Sequence, residues 1–272
     1  MCRILAALLT RPSTELINSL FEAFINASKH DPYLLAVTRG VAKSHSDGWG
    51  IVAVGEIDGV LSVVEYKSLY PVFSKAVSEI IETIKNRLSM FKEVYLLIHS
   101  RKASRGEPYG TDYLHPFLRL SERGALWFAH NGGADKKELA ALLGVHYWIN
   151  VDSGLLGHYL MSRIMECYES NGDLDECVKT SYIEARRYVR GLYNTGLLGV
   201  LDGKPVLYAS HAVYGGDPEL DNYGKLVFYR LESGLIVASI TFKEYFITGV
   251  SHTTLRPGLY RFGDDLVELT EL

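Results

Sequence analysis

Cys2 directly follows the initiator methionine, so removal of Met1 leaves one residue carrying both a thiol and a free α-amine. The thiol is a nucleophile, and an α-amine with an ordinary pKa of ~7.7–8.0 is a base only a few bonds away. Such a residue can attack a carbonyl carbon and become acylated. Its plainer reading is a small apolar residue that opens a buried strand. Four other short segments place polar residues at the ends of apolar runs. They are Asp47-Gly48-Trp49-Gly50, His99-Ser100-Arg101-Lys102-Ala103-Ser104, His130-Asn131-Gly132-Gly133 and Val151-Asp152-Ser153. Strand and helix ends are where a scaffold presents functional groups. Each segment also reads singly as a turn dipeptide, a helix N-cap or a surface charge.

The elements that must hold these segments follow from periodicity. Residues 3–9 read as a first strand, and Pro12-Ser13-Thr14-Glu15 carries helix-start chemistry before an apolar face of Leu16, Leu20, Phe21, Phe24 and Ile25. Asp58-Gly59 joins two strand-like runs, 50–57 and 60–66, as a two-residue hairpin turn. A helix over 74–90, strands over 94–99 and 125–129, and helices over 153–168 and 173–190 follow. The last third is strand-like, with runs at 197–201, 205–210, 225–231, 235–240, 258–262 and 266–269, and residues 211–224 read as an exposed loop.

With 272 residues and 47% hydrophobic content, the chain can bury a full core, most simply as one domain over 1–272. A net charge of -4 gives no electrostatic footprint for nucleic acid. The apolar stretch Ile4 to Leu9 is too short for a secretory leader, and there is no 18-residue apolar run. A cytoplasmic protein that binds no membrane is therefore expected. The cysteines at 2, 167 and 177 form neither a disulfide framework nor a zinc pattern. Cys167 and Cys177 each fall on the apolar side of a helix and are expected in the core. Glutamine is absent from the chain, a depletion of thermolabile amides that points to a heat-loving source.

Taken together and in order, the segments resemble the class II glutamine amidotransferases, which are N-terminal nucleophile hydrolases. The resemblance is to stand-alone, single-domain members with an Asp-Gly-Trp-Gly segment. It rests on Cys2, His99-Ser100-Arg101-Lys102-Ala103-Ser104, His115-Pro116-Phe117, Phe128-Ala129-His130-Asn131-Gly132 and Asp152-Ser153. It implies an α+β fold, a four-layer αββα sandwich of two antiparallel sheets. It also implies hydrolysis of the γ-amide of glutamine, or of another γ-glutamyl amide, through a thioester on Cys2. Asn131 and Gly132 would then supply the oxyanion donors, Arg101 would pair with the substrate carboxylate and Asp152 with its ammonium. Ser104 and His115 would complete the substrate pocket, with no metal and no cofactor. His99, His130 and Trp49 read as structural.

Gly154 follows Asp152-Ser153 where many relatives carry Glu, and Tyr113 stands where Asn is common. Both departures bear on which γ-glutamyl compound is used. Ammonia would pass to water or to a separate synthase subunit, and a homo-oligomer is compatible with the sequence. A γ-glutamyl hydrolase acting on a conjugate or peptide is the alternative enzyme. A non-catalytic regulatory subunit is the alternative if Met1 is retained, because Met1 blocks the amine. The intact mass of purified protein is expected to lack one methionine, and a mass that includes Met1 would favour the regulatory subunit.

Overall fold

Alternation along the first strand dictates the layering. In β1 (Cys2–Thr10), Leu5, Ala7 and Leu9 join one apolar cluster while Ile4, Ala6 and Leu8 join another. Successive strand side chains point to opposite faces, so a strand apolar on both faces has to be covered on both. The computed structural model describes residues 1–104, 106–246 and 249–272. After β1 come α1 (Thr14–Lys29), α2 (Pro32–Val37), β2 (Trp49–Ile57), β3 (Val60–Ser68), α3 (Ser78–Leu88), β4 (Glu93–Arg101), β5 (Phe117–Ser121) and β6 (Gly124–Ala134). Next are α4 (Lys136–Leu143), α5 (Asp152–Glu169), α6 (Leu174–Ala185), β7 (Val189–Leu201), β8 (Lys204–His211) and α7 (Pro218–Gly224). The chain ends with β9 (Leu226–Leu231), β10 (Gly234–Ser239), β11 (His252–Thr254), β12 (Gly258–Phe262) and β13 (Leu266–Thr270).

One sheet has the order β11-β9-β10-β1-β4-β2-β3 and the other β13-β12-β8-β7-β6-β5. Neighbouring strands in both are antiparallel. The faces that meet between the sheets contribute Ile4, Ala6, Val52 and Leu97 from the first and Trp127, Ala129, Leu198 and Leu207 from the second. The outer face of the first sheet packs on α1 and α3, and that of the second on α4, α5 and α6. The expected αββα sandwich is the observed architecture. No helix among the described residues is long and apolar enough to cross a membrane.

Local signals hold where they are chemically specific. The Ser13 side chain accepts from the Leu16 N–H to start α1, and Asp58 and Gly59 both take positive φ (52° and 80°) in the β2–β3 turn. Two expectations need correction. The helix expected over 173–190 stops at Ala185, and a 3-10 turn leads into β7 because Val189 and Arg190 pair with Ala134 and Gly133 of β6. Residues 211–224 hold the exposed positions expected of them but are not a loop throughout. Asp217 caps α7, whose Tyr223 and Gly224 are buried.

Cys167 and Cys177 also depart from expectation, because they form a disulfide with Cα atoms 5.6 Å apart. Cys177 lies on the buried side of its helix, whereas Cys167 lies on a side that is only partly buried. The turn between α5 and α6 then folds those sides together, with Gly172 pressed against both sulfurs. Cross-linking a loop this short restricts the unfolded chain by about 2–3 kcal/mol. Reduction, or Cys177→Ala, is expected to lower the thermal midpoint by roughly 5 °C. Superimposable melts with and without reductant would show that the bridge adds no stability.

Candidate active site

The site lies where β1, β4 and β6 end beside the first turn of α5. Cys2 is in the even-numbered set of β1, which faces the second sheet, and it is a buried free thiol. In β6 the same alternation sends Trp127 and Ala129 between the sheets, and Phe128 toward the helices. It therefore turns Asn131 toward Cys2 and His130 toward α5. The Cys2 N–H donates to Asn131 Oδ1 at 2.8 Å. Asn131 Nδ2 is buried and has no hydrogen-bond partner among the described residues. The Tyr223 hydroxyl stands near this amide, yet its own proton goes to the Cys2 carbonyl at 2.8 Å.

Gly132 follows at the edge of a β-bulge in the β6–β7 ladder. Any side chain there would collide with the Leu192 carbonyl and the His130 ring, so only glycine allows this backbone approach. His130 Nε2 lies 3.1 Å from the Leu192 carbonyl, which can only accept, so that nitrogen carries the proton. Nδ1 then accepts from the Ser153 hydroxyl at 3.0 Å. Burial pushes the His130 pKa down to about 4, which keeps the ring neutral near pH 7. The backbone of α5 starts at Asp152, whose carboxylate accepts from the Ala134 N–H (3.1 Å) and the Ser153 N–H (2.7 Å). An anion in the first turn is favoured by the helix dipole.

Arg101 ends β4 and is 4% exposed. Its N–H donates to the Gly48 carbonyl (2.8 Å), and its carbonyl accepts from the Asp47 N–H (3.0 Å). The Asp47 carboxylate binds Lys102 Nζ at 3.0 Å and the Ala103 N–H at 2.8 Å. The Asp-Gly-Trp-Gly segment is thus the brace of the Arg101 strand end, and Trp49 is fully buried in the apolar cluster behind it. Arg101 Nη2 donates to the Pro108 carbonyl at 3.0 Å, whereas Nη1 is buried without a partner among the described residues. His115 lies against His99, with ring centroids 3.9 Å apart. Burial pushes His99 down to about 3 and His115 well below the usual range, so both rings are neutral.

Cys2, Arg101, Ser104, His115, Gly132 and Asp152 line one cavity, together with Met1, Glu107, Tyr113 and neighbours. Asn131 reaches it through Cys2. All seven residues singled out from the sequence therefore converge, with Ser104 on the exposed rim. The cavity has a volume of about 30 Å³, room for water and not for an amino acid. Met1 forms part of its wall. No group of three or more His, Cys, Asp or Glu side chains among the described residues is arranged to hold a metal ion.

Sequence reasoning missed the layer beneath. Arg3, 1% exposed, forks onto the Asp31 carboxylate through Nε (2.6 Å) and Nη2 (3.0 Å). His45 Nε2 and Thr241 Oγ1 also reach Asp31, each at 2.7 Å. Burial opposes ionisation of Asp31, but Arg3 and the His45 hydrogen bond outweigh it and hold the carboxyl well below its usual range. A signal was available: an arginine in an otherwise apolar strand requires a buried counter-charge.

The family described as class-II glutamine amidotransferases matches residues 33–195, more than half of the chain. That stretch includes Arg101, Asn131, Gly132 and Asp152, whereas Cys2 precedes it. No curated protein matches the chain. Among solved structures, it is similar to a glutamine aminotransferase class-II domain protein from Silicibacter pomeroyi, at 17% identity over 98% of each chain with a TM-score of 0.49. It is also similar to a predicted glutamine amidotransferase from Pseudomonas aeruginosa, at 14% identity over 98% of this chain and 95% of that one, TM-score 0.48.

The buried neutral histidines have a consequence for acid stability. Burial holds His45 and His130 at about 4 and His99 at about 3, whereas the unfolded chain protonates near ~6.5. Below that pH the unfolded state binds more protons, so their contribution is complete above ~6.5 and is lost as pH falls toward 4. Each histidine adds a slope of up to about 1.4 kcal/mol per pH unit in this window. The urea midpoint is expected to drop steadily from pH 6.5 to 4.5. A flat midpoint would contradict neutral burial of these rings.

Proposed function

The chain belongs to the class II glutamine amidotransferases, and from that premise we propose that it hydrolyses the side-chain amide of glutamine through a γ-glutamyl thioester on Cys2. One observation supports the proposal above the rest: two buried donors, Arg101 Nη1 and Asn131 Nδ2, have no hydrogen-bond partner among the described residues beside a free buried thiol. An unsatisfied buried polar group costs about 1–3 kcal/mol. A substrate that brings a carboxylate to one and an oxyanion to the other would remove that penalty.

The residues divide the work as follows. With Met1 removed, Cys2 Sγ adds to the amide carbon and the α-amine takes the thiol proton. Asn131 Nδ2 and the Gly132 N–H donate to the oxyanion. The amine returns the proton to the departing nitrogen, the C–N bond breaks, and ammonia leaves. Water then adds to the thioester, the amine again carries the proton, and glutamate departs with Cys2 restored. Arg101 binds the α-carboxylate as a planar fork, and Asp152 takes the α-ammonium. Ser104 and His115 shape the pocket between them.

In the unprocessed chain, Met1 lines the cavity and its ammonium donates to the Lys102 carbonyl at 2.9 Å. The reaction therefore depends on losing Met1, which opens the cavity and creates the base. Residues 1–272 act in this scheme as one amidotransferase domain, and ammonia passes to water or to a separate synthase.

Ammonia release from glutamine by the mature protein is expected to vanish in Cys2→Ala. In Asn131→Ala, kcat is expected to fall by about 10²–10³. Arg101→Ala should raise KM about 10- to 100-fold through loss of a charge-assisted pair. Equal rates in wild type and Cys2→Ala would refute the nucleophile. Faster turnover of γ-glutamyl peptides than of glutamine would transfer the substrate assignment to a conjugate.

A further inference from the structure

Removing Met1 turns Cys2 into a chain end, and chain ends fray unless tied down. In the unprocessed chain, Met1 does part of the tying. Its ammonium donates to the Lys102 carbonyl (2.9 Å), and its carbonyl accepts from the Lys102 N–H (3.0 Å). Both bonds leave with the methionine. Two side chains remain on the Cys2 backbone: Asn131 Oδ1 at the nitrogen and the Tyr223 hydroxyl at the carbonyl oxygen, each at 2.8 Å.

Tyr223 is itself held in place. It lies in the last turn of α7, where backbone carbonyls have no partner within the helix. The Tyr223 carbonyl accepts from Arg3 Nη1 at 3.0 Å, and the Gly224 carbonyl accepts from Asn194 Nδ2 at 2.5 Å. A cation at a helix C-terminus is also favoured by the dipole. The same Arg3 guanidinium stacks on the Tyr223 ring, 4.0 Å from its centroid. Arg3 in turn is fixed by its fork to Asp31. Burial raises the Tyr223 hydroxyl pKa well above the usual range, which keeps it a donor. The contacts close a ring: the chain runs from Cys2 to Arg3, Arg3 grips Tyr223, and Tyr223 grips the Cys2 carbonyl.

We propose that Tyr223 is a positioning residue for the nucleophile, and that its hydroxyl, set by Arg3, keeps the freed Cys2 terminus aligned for attack. The proposal rests on Cys2 being the nucleophile. Asn131 holds the nitrogen and the ladder pair Arg3–Ser100 holds the next residue, and Tyr223 is the side chain that fixes the carbonyl oxygen between them. Displacing a reacting atom by about 1 Å can cost about 10² in rate.

Tyr223→Phe keeps the ring and its stack on Arg3 and removes only the hydroxyl. In the mature variant, kcat for glutamine is expected to fall about 10- to 100-fold, with KM within about two-fold and the thermal midpoint within about 4 °C. Hydrogen–deuterium exchange at the Arg3 and Ile4 amides is expected to speed up. Tyr208→Phe is the control, because Tyr208 stands in the other sheet and its hydroxyl bonds Asp175 of α6, and both readouts should stay at wild-type values. Wild-type kcat and wild-type exchange in Tyr223→Phe would overturn the inference while leaving the hydrolase proposal intact. If mature wild-type protein releases no ammonia, the hydrolase proposal fails instead. Exchange then decides the positioning role alone: faster in Tyr223→Phe supports it, and unchanged overturns it.

Discussion

A guanidinium buried in the strand that begins with Cys2 constrains much of the rest of the molecule. Leaving Arg3 unpaired at 1% exposure would cost several kcal/mol, so a carboxylate has to be brought to it. That carboxylate, Asp31, is saturated by Arg3, His45, Thr241 and the backbone N–H groups of Tyr33 and Leu34. Satisfying one ion pair therefore assembles β1, the start of α2, the segment before β2 and the turn after β10. It also docks α7, since Arg3 caps the Tyr223 carbonyl. A buried network in which every member but His45 Nδ1 is paired among the described residues favours one arrangement over its alternatives, and here that arrangement surrounds Cys2.

The contrast with the layer above is informative. Beneath Cys2 almost every polar atom is paired, whereas around the cavity Arg101 Nη1, Asn131 Nδ2 and the His115 nitrogens have no partner among the described residues. Buried donors of this type are expensive to maintain. They persist because rigid elements impose them: the Asp47–Gly48 brace holds Arg101, and β6 pairing holds Asn131. Stability from the well-paired layer offsets the deficit in the layer that lines the cavity. The order of the two layers follows from strand alternation, because Arg3 and Cys2 are adjacent residues that point to opposite faces of one sheet.

How much of this could be read without coordinates depended on the range of the contacts. Asp58-Gly59, the helix-start residues Pro12 to Glu15 and the first strand over 3–9 act within a few residues, and each is found as read. The ordered segments around Arg101, Asn131 and Asp152 were legible because they set polar residue types at the ends of strands and of a helix. By contrast, Asp217-Pro218 carried a helix-start signal that glycine-rich surroundings masked. The stretch after Ala185 has no local reason to leave the helix. It does so because β6 offers a pairing edge, which outweighs helix propensity.

The sequence by itself determined which groups are available and which face of each strand they occupy, since residue type and period are local properties. Tertiary structure alone decided how they meet. Arg3 and Tyr223 are 220 positions apart, Cys2 and Asn131 are 129 apart, and no periodicity encodes such pairs. The Cys167–Cys177 bridge separates the two kinds of information even over a short distance. Cys177 was correctly placed in the core and Cys167 is only partly buried, but only the turn at Gly172 put the two sides together. Local preference supplies the pieces, and the need to satisfy every buried charge and strand edge at once selects their arrangement.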